Sequence, residues 1–159
     1  MQVDLEKQFE LPGSAAKGWE FLQDIPAVAS CMPGAEITEV VDKDNYKGKV
    51  KMKIGPAVMA FEGDIVVHNV DVQKREINLV GKGQDTKGTS SASMDLTAWI
   101  IDADAGNSSL KGSATVKMTG KAASMGGRMM TQVADQILNQ FGANFADHIA
   151  AMGEGQQAE

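Results

Sequence analysis

The sequence predicts an α+β domain in which a seven-stranded antiparallel sheet curls around one long C-terminal helix. Three observations predict it. Apolar residues recur at every second position in seven segments up to Gly120, the segments are joined by turns of hairpin length, and the period changes to 3.6 beyond Gly120. The chain has 159 residues, the length of one domain and enough to carry a core without disulfides or metals.

Each element follows from local chemistry. Val3, Leu5, Phe9 and Leu11 alternate with Gln2, Asp4, Glu6, Gln8 and Glu10, the period of a half-buried strand. Pro12-Gly13 stops it. Ser14 can cap a short helix with Ala15, Trp19 and Leu22 on one face, and Asp24-Ile25-Pro26 reads as a second cap with proline in the first turn. That second helix is expected to end near Cys31, before Pro33-Gly34. Ile37 to Val41 forms strand two and Asp42 to Asn45 turns the chain. Strand three places Tyr46, Gly48, Val50, Met52 and Ile54 on one side and Lys47, Lys49, Lys51 and Lys53 on the other. After a turn at Gly55-Pro56, strand four directs Ala57, Met59, Phe61, Gly63, Ile65 and Val67 inward. Ile77, Leu79, Gly81 and Gly83 lie on strand five, and Ala92, Met94, Leu96, Ala98 and Ile100 on strand six. Leu110, Gly112, Ala114, Val116 and Met118 face inward on strand seven. Strongly curved sheets bend at interior glycines, and Gly48, Gly63, Gly81, Gly83 and Gly112 all share the inner parity. The last helix is expected from about Ala122 to about Ala151, with Met130, Val133, Ala134, Ile137, Leu138, Phe141 and Phe145 in one stripe. The reading is a single domain over 1–152 and a short polar tail over 153–159.

Composition excludes several classes of function. A net charge of −6 opposes a nucleic-acid partner, which requires a basic excess. One cysteine, Cys31, excludes an internal disulfide, and the first residues lack a secretion signal. The longest apolar run, Ala57 to Phe61, is far short of the ~20 residues that span a membrane. A cytoplasmic protein is expected.

Motifs for catalysis and metal binding are incomplete. His68 and His148 fall on different elements without a cysteine pair, so no metal site is expected. Asp102-x-Asp104 opens like a calcium loop, but Gly106 comes one place early and Ser113 stands where a glutamate is needed. Gly81-x-Gly83 lacks the third glycine of a dinucleotide fingerprint, and Gly120-Lys121 lacks the rest of a phosphate loop. Ser90, Ser91 and Ser93 have no histidine in register. Cys31 reads as a small packed residue, and His148 as a polar group at the mouth of the helix stripe. The inner positions of strands three to seven are expected to hold no ionisable residue, and therefore no means of moving protons.

Ten methionines against eight aromatic residues is an unusual ratio. Methionine is flexible and polarizable and adapts to varied apolar ligands. Met52, Met59, Met94, Met118 and Met130 all point inward on this reading. The row Lys47, Lys49, Lys51, Lys53 reads either as a solvated outer face or as a docking row for an acidic protein surface or anionic lipid.

The order and spacing of Leu11-Pro12, Trp19, Asp24-Ile25-Pro26, Cys31-Met32-Pro33-Gly34, Tyr46-x-Gly48, Gly55-Pro56, Phe61-x-Gly63 and Gly126-Gly127-Arg128 carry a resemblance. From Val3 to about Ile149 the chain resembles the CoxG family of carbon monoxide dehydrogenase systems, within the START/Bet v 1-like (SRPBCC) superfamily. The resemblance implies a helix-grip fold with an apolar cavity between sheet and helix. It also implies a non-catalytic accessory role beside a molybdenum hydroxylase of the CO dehydrogenase type, in tethering the enzyme to the membrane or carrying a quinone- or lipid-like molecule. A ligand-free assembly or maturation factor and a cyclase-like enzyme are the alternatives. Many such proteins carry a hydrophobic anchor after the last helix. Residues 153–159 are polar here, so membrane contact is expected to be reversible, peripheral at the inner face, and dependent on anionic lipid. The expected ligand-binding residues are Met52, Ile54, Met59, Phe61, Leu79, Met94, Leu96, Ala114, Met118, Met130, Val133, Ile137 and Phe141. No cofactor is expected besides such a bound quinone or lipid-like ligand.

Overall fold

The computed structural model describes residues 2–54, 57–103, 106–120, 123 and 127–158. In chain order the elements are β1 (Gln2–Leu11), α1 (Ala15–Leu22), α2 (Ile25–Ser30), β2 (Ala35–Val40), β3 (Asn45–Ile54), β4 (Ala57–Asp71), β5 (Glu76–Asp85), β6 (Ser90–Asp102), β7 (Ser108–Gly120) and α3 (Gly127–Ala158). The strands form one sheet in the order β1-β7-β6-β5-β4-β3-β2, and every pairing is antiparallel. Consecutive strands pair as hairpins from β2 to β7, while β1 crosses to the far edge beside β7. The two edges, β1 and β2, are joined in sequence by the two short helices.

Both caps form as their residue types require. The Ser14 hydroxyl accepts from the Lys17 amide at 3.3 Å and the Asp24 carboxylate from the Ala27 amide at 3.3 Å, each satisfying a donor the helix leaves unpaired. The expected turn at Gly55-Pro56 and the expected helix start at Ala122 lie outside the described residues, as does Gly126. At its other end α3 runs past the expected stop near Ala151, through the segment read as a polar tail, to Ala158. Apolar periodicity ends before the backbone does. Each added helical residue closes another hydrogen bond once the helix is nucleated.

The register places three glycines side by side. Gly48 lies opposite Gly63, which lies opposite Gly83. A Cβ on Gly63 would stand 1.8 Å from the Lys82 carbonyl oxygen, so the strands approach there as only glycine allows. Register shifts at Thr38 in β2 and His68 in β4 add further bends.

Buried apolar residues gather in two clusters at opposite ends of the sheet. The larger contains Leu11, Trp19, Phe21, Leu22, Ile25, Cys31, Tyr46, Ile77, Ile100, Leu110, Phe145 and Ile149, and packs α1, α2 and the C-terminal half of α3 against the sheet. The smaller contains Met59, Phe61, Met118 and Met130, with Val3, Val50, Met52, Ala92, Val116, Met129 and Val133 against them. It lies where α3 begins.

One seam fixes α3 to β1. A Cβ on Gly142 would come 2.2 Å from Cδ1 of Phe9, and a Cβ on Gly13 would come 2.8 Å from Ile149. Lys7 forms an ion pair with Asp135 at 2.8 Å along the same seam. Asn144 donates to the Cys31 carbonyl at 2.8 Å and ties α3 to the end of α2.

Candidate functional site

Between the two clusters the sheet and helix are not closed against each other. Met94 and Leu96 share the inner parity of the sheet, belong to neither cluster and stay half-buried, as do Ile65, Leu79 and Val116 at the cluster margins. Ala134, Ile137, Leu138 and Phe141 on α3 are half-buried too. The α3 backbone comes nearest to β1 and β3, the flanks of the sheet, and stands farther from the central strands. The small residues beneath it are not explained by tight packing. A Cβ on Gly81 would meet nothing nearer than 3.9 Å, and one on Gly112 nothing nearer than 3.8 Å. Ala114, between Leu5 and Leu96 in the ladder, adds a single methyl to this floor. The helix is thus pinned along β1 and at both ends of the sheet, and the middle is left open with apolar walls.

The expected ligand-binding residues divide between these regions. Met94, Leu96, Ala114 and Ile137 border the open middle, while Leu79 and Phe141 pack on the margin of the larger cluster. Met52, Met59, Phe61, Met118, Met130 and Val133 pack with one another and close the end near the start of α3. The side chain of Ile54 lies outside the described residues. Most of the inward methionines therefore form a stopper of flexible side chains rather than the walls of the gap. Only Met94 of that set stands apart from it.

Two expectations about ionisable groups are corrected. Asp85 has the inner parity of β5, opposite Phe61, and is buried. Its carboxylate accepts from the Lys87 amide at 3.1 Å and from the Thr89 hydroxyl, so it braces the β5–β6 turn. The parity is legible in the sequence; the turn bonds that stabilise a buried carboxylate are not. His148 does not face inward. It is exposed, with its ring stacked on Phe21 at a centroid distance of 5.0 Å, because the buried positions of that turn go to Phe145 and Ile149.

A third ionisable group lies on β1, outside the strands expected to be free of inner charge. Lys7 has the same parity as Leu5 and Phe9 and lies opposite Gly112. Its ammonium is held by Asp135 at the flank of the gap. Cys31 behaves as expected of a packed residue. It is fully buried, and removal from water pushes its thiol up to about 11. Burial likewise raises the Tyr46 phenol, whose hydroxyl donates to the Lys43 carbonyl at 2.7 Å at the far end of the sheet. Among the described residues no three His, Cys, Asp or Glu side chains are placed to hold a metal ion, and no helix is long and apolar enough to cross a membrane.

The lysine row on β3 is two pairs with different surroundings. Lys47 lies between Glu39 and Asp64 in the ladder, and Lys49 between Glu36 and Glu62, with Lys49 ion-paired to Glu36 at 3.6 Å. Such cross-strand pairs stabilise the sheet by roughly 0.2–1 kcal/mol each and offer little free charge. Lys51 and Lys53 lie opposite Ala60 and Val58 instead. All four are exposed.

This architecture recurs in solved structures of low sequence identity. A conserved protein from Geobacillus kaustophilus superposes with a TM-score of 0.83 at 20% identity, covering 94% of this chain and 96% of its own. The ZhuI aromatase/cyclase from Streptomyces sp. R1128 gives 0.67 at 13% identity, covering 94% of each chain. A START superfamily protein from Mycobacterium smegmatis also gives 0.67, at 14% identity, covering 94% of this chain and 98% of that one. The fold is that of the START/Bet v 1-like proteins, the helix-grip arrangement. No curated protein matches the chain. Residues 8–150, nearly the whole of the described domain, match the model of the carbon monoxide dehydrogenase CoxG family, and the chain belongs to that family.

Proposed function

We propose that this protein holds an apolar, quinone- or lipid-like molecule between the sheet and α3, as a non-catalytic accessory protein of a CO dehydrogenase-type molybdenum hydroxylase. The observation that carries the reading is the half-buried apolar middle, walled by Leu79, Met94, Leu96, Ile137 and Phe141 over the buried Ala114 and bounded by a packed cluster at each end. Apolar surface left open to water at both the sheet and the helix favours an apolar guest, which would gain roughly 25 cal/mol for each Å² it buries. Chemistry is disfavoured by the same geometry. Among the described residues the inner charges are Asp85, held in a turn, and Lys7, held by Asp135. Neither offers a free acid or base to a guest in the middle. The cyclase among the structural neighbours keeps the enzymatic alternative in view, but no described residue at the gap is placed to carry out proton transfer.

Native mass spectrometry of the purified protein, before and after organic extraction, tests the reading. The expected result is a bound small molecule that extraction removes and that a short-chain quinone replaces. Protein that carries nothing and shows no quinone-induced change in tryptophan fluorescence would instead favour an assembly factor that works without a ligand.

A further inference from the structure

Lys7 breaks the pattern of the sheet. The four lysines of β3, Lys82, Lys111 and Lys117 all have outer parity, whereas Lys7 starts from the inner face of β1 between Leu5 and Phe9. Its ammonium lies 2.8 Å from Oδ1 of Asp135, and its side chain is 26% exposed. A partly buried pair of this kind adds little to stability, because lost hydration and solvent screening offset the attraction. The seam is held without it, by Phe9 against Gly142. Along the ladder Gly112 lies between Lys7 and Ala98, and Ala114 takes the next inner position. On α3, Asp135 and Gly142 mark the side turned to β1, while Ile137 and Phe141 flank the gap. The ion pair therefore stands at the edge of the open middle, beside a strip of small residues on which a flat ring can lie.

We propose that the Lys7–Asp135 pair is the headgroup site of the gap and binds a ring oxygen of a quinone. This rests on the proposed carrying role and names the part of the guest that is recognised. An ammonium has three N–H donors; one serves Asp135 and another can serve a carbonyl at the edge of the gap. The carboxylate beside it decides which guests profit. It cancels the charge of Lys7, so a fatty-acid carboxylate gains no net attraction there. It also sets an acceptor next to the donor. The same ring oxygen then has a partner in both oxidation states, accepting from Lys7 as a quinone carbonyl and donating to Asp135 as a quinol hydroxyl. The ester carbonyl of a neutral lipid would use Lys7 alone. From this site an apolar tail would run past Leu96 and Met94, the inner positions opposite Ala114 and Val116, toward the methionine cluster.

Equilibrium dialysis of the full chain against duroquinone and durene tests it. Durene is the same tetramethylated ring without the two carbonyls, and the methyl groups of duroquinone leave no ring carbon open to a thiol. Wild type is expected to bind duroquinone roughly tenfold more tightly than durene, the worth of one hydrogen bond from a charged donor. Lys7→Met keeps an apolar stem of similar length; it should abolish that preference and leave the affinity for durene unchanged. Asp135→Asn leaves the ammonium without its counter-charge, so decanoate should displace duroquinone from that variant and not from wild type. Lys117→Met, on the outer face of β7, should bind both rings as wild type does. Equal binding of the two rings by wild type, or a preference retained in Lys7→Met, would overturn the headgroup site and leave the carrying role standing. Decanoate that treats wild type and Asp135→Asn alike would overturn the balanced pair. A Lys7→Met protein that loses durene together with duroquinone would also overturn the proposal, by assigning the pair to holding α3 in place. Wild type that binds neither ring would overturn the carrying role and the headgroup site together.

Discussion

The seam between α3 and β1 can be broken by one side chain. Gly142→Val would place a Cβ 2.2, 2.3 and 2.5 Å from Cδ1, Cε1 and Cγ of Phe9. Carbon atoms settle at about 3.5–4.0 Å, so the whole ring, not merely its far edge, must move by more than ~1 Å. Phe9 packs on the larger cluster and Gly142 is buried, so the ring moves only at the cost of its contacts with that cluster. Overpacking of this kind costs roughly 1–3 kcal/mol, against a gain of a few tenths from replacing glycine in a helix. The expected net loss is about 2 kcal/mol. For a domain of this length that lowers Tm by roughly 4–8 °C. Ala143→Val, on the exposed face of the same turn, isolates the cost of a β-branched residue in a helix and should lose only about 1–3 °C. Gly112→Ala adds a methyl where nothing lies within 3.8 Å, and should be neutral or slightly stabilising through the unfolded chain. Thermal and urea denaturation of the three variants and wild type decides the matter. A Gly142→Val protein as stable as Ala143→Val would refute the tight seam. A Gly112→Ala protein as damaged as Gly142→Val would refute the open middle.

Two further expectations concern the interior. Ala114→Trp should fold with little loss of stability, because its indole can extend into the open middle, but should no longer bind a short-chain quinone by fluorescence titration. A large drop in Tm without ligand would mean that the space is already filled. Cys31 should resist thiol reagents at pH 8 in the native state and react at once in denaturant, since burial keeps the thiol protonated up to about 11. The folded-state value is the raised one, so this residue's contribution to stability is whole below pH 9 and declines as pH rises toward 11; a Cys31→Ala variant whose alkaline stability falls off identically would contradict that assignment.

The order of elements, the inner parity of every strand but β2 and both helix caps follow from the sequence alone, because each depends on neighbours within a few residues. Alternation at period two orients side chains whatever the strand later pairs with, and Ser14 and Asp24 each cap a helix through an amide three residues away. The family is legible there too, since the spacing of turn residues such as Pro33-Gly34 and Tyr46-x-Gly48 survives in the linear chain. The distribution of space is not. Parity makes Met52, Met59, Met94, Met118 and Met130 equivalent, yet register and helix placement pack four of them into a stopper and leave Met94 beside the gap. Gly112 and Gly142 are identical letters, one with room for a methyl in ordinary contact with Leu96 and the other against the ring of Phe9. The four lysines of β3 look uniform until the neighbouring strands set carboxylates beside Lys47 and Lys49, and Ala60 and Val58 opposite Lys51 and Lys53. His148 and Asp85 escape sequence reasoning on the same ground, because the ring of Phe21 and the donors of the β5–β6 turn come to them only in the fold. Periodicity is a property of one segment. Contact between segments, and the room left where contact fails, is decided by how far apart the tertiary structure holds them.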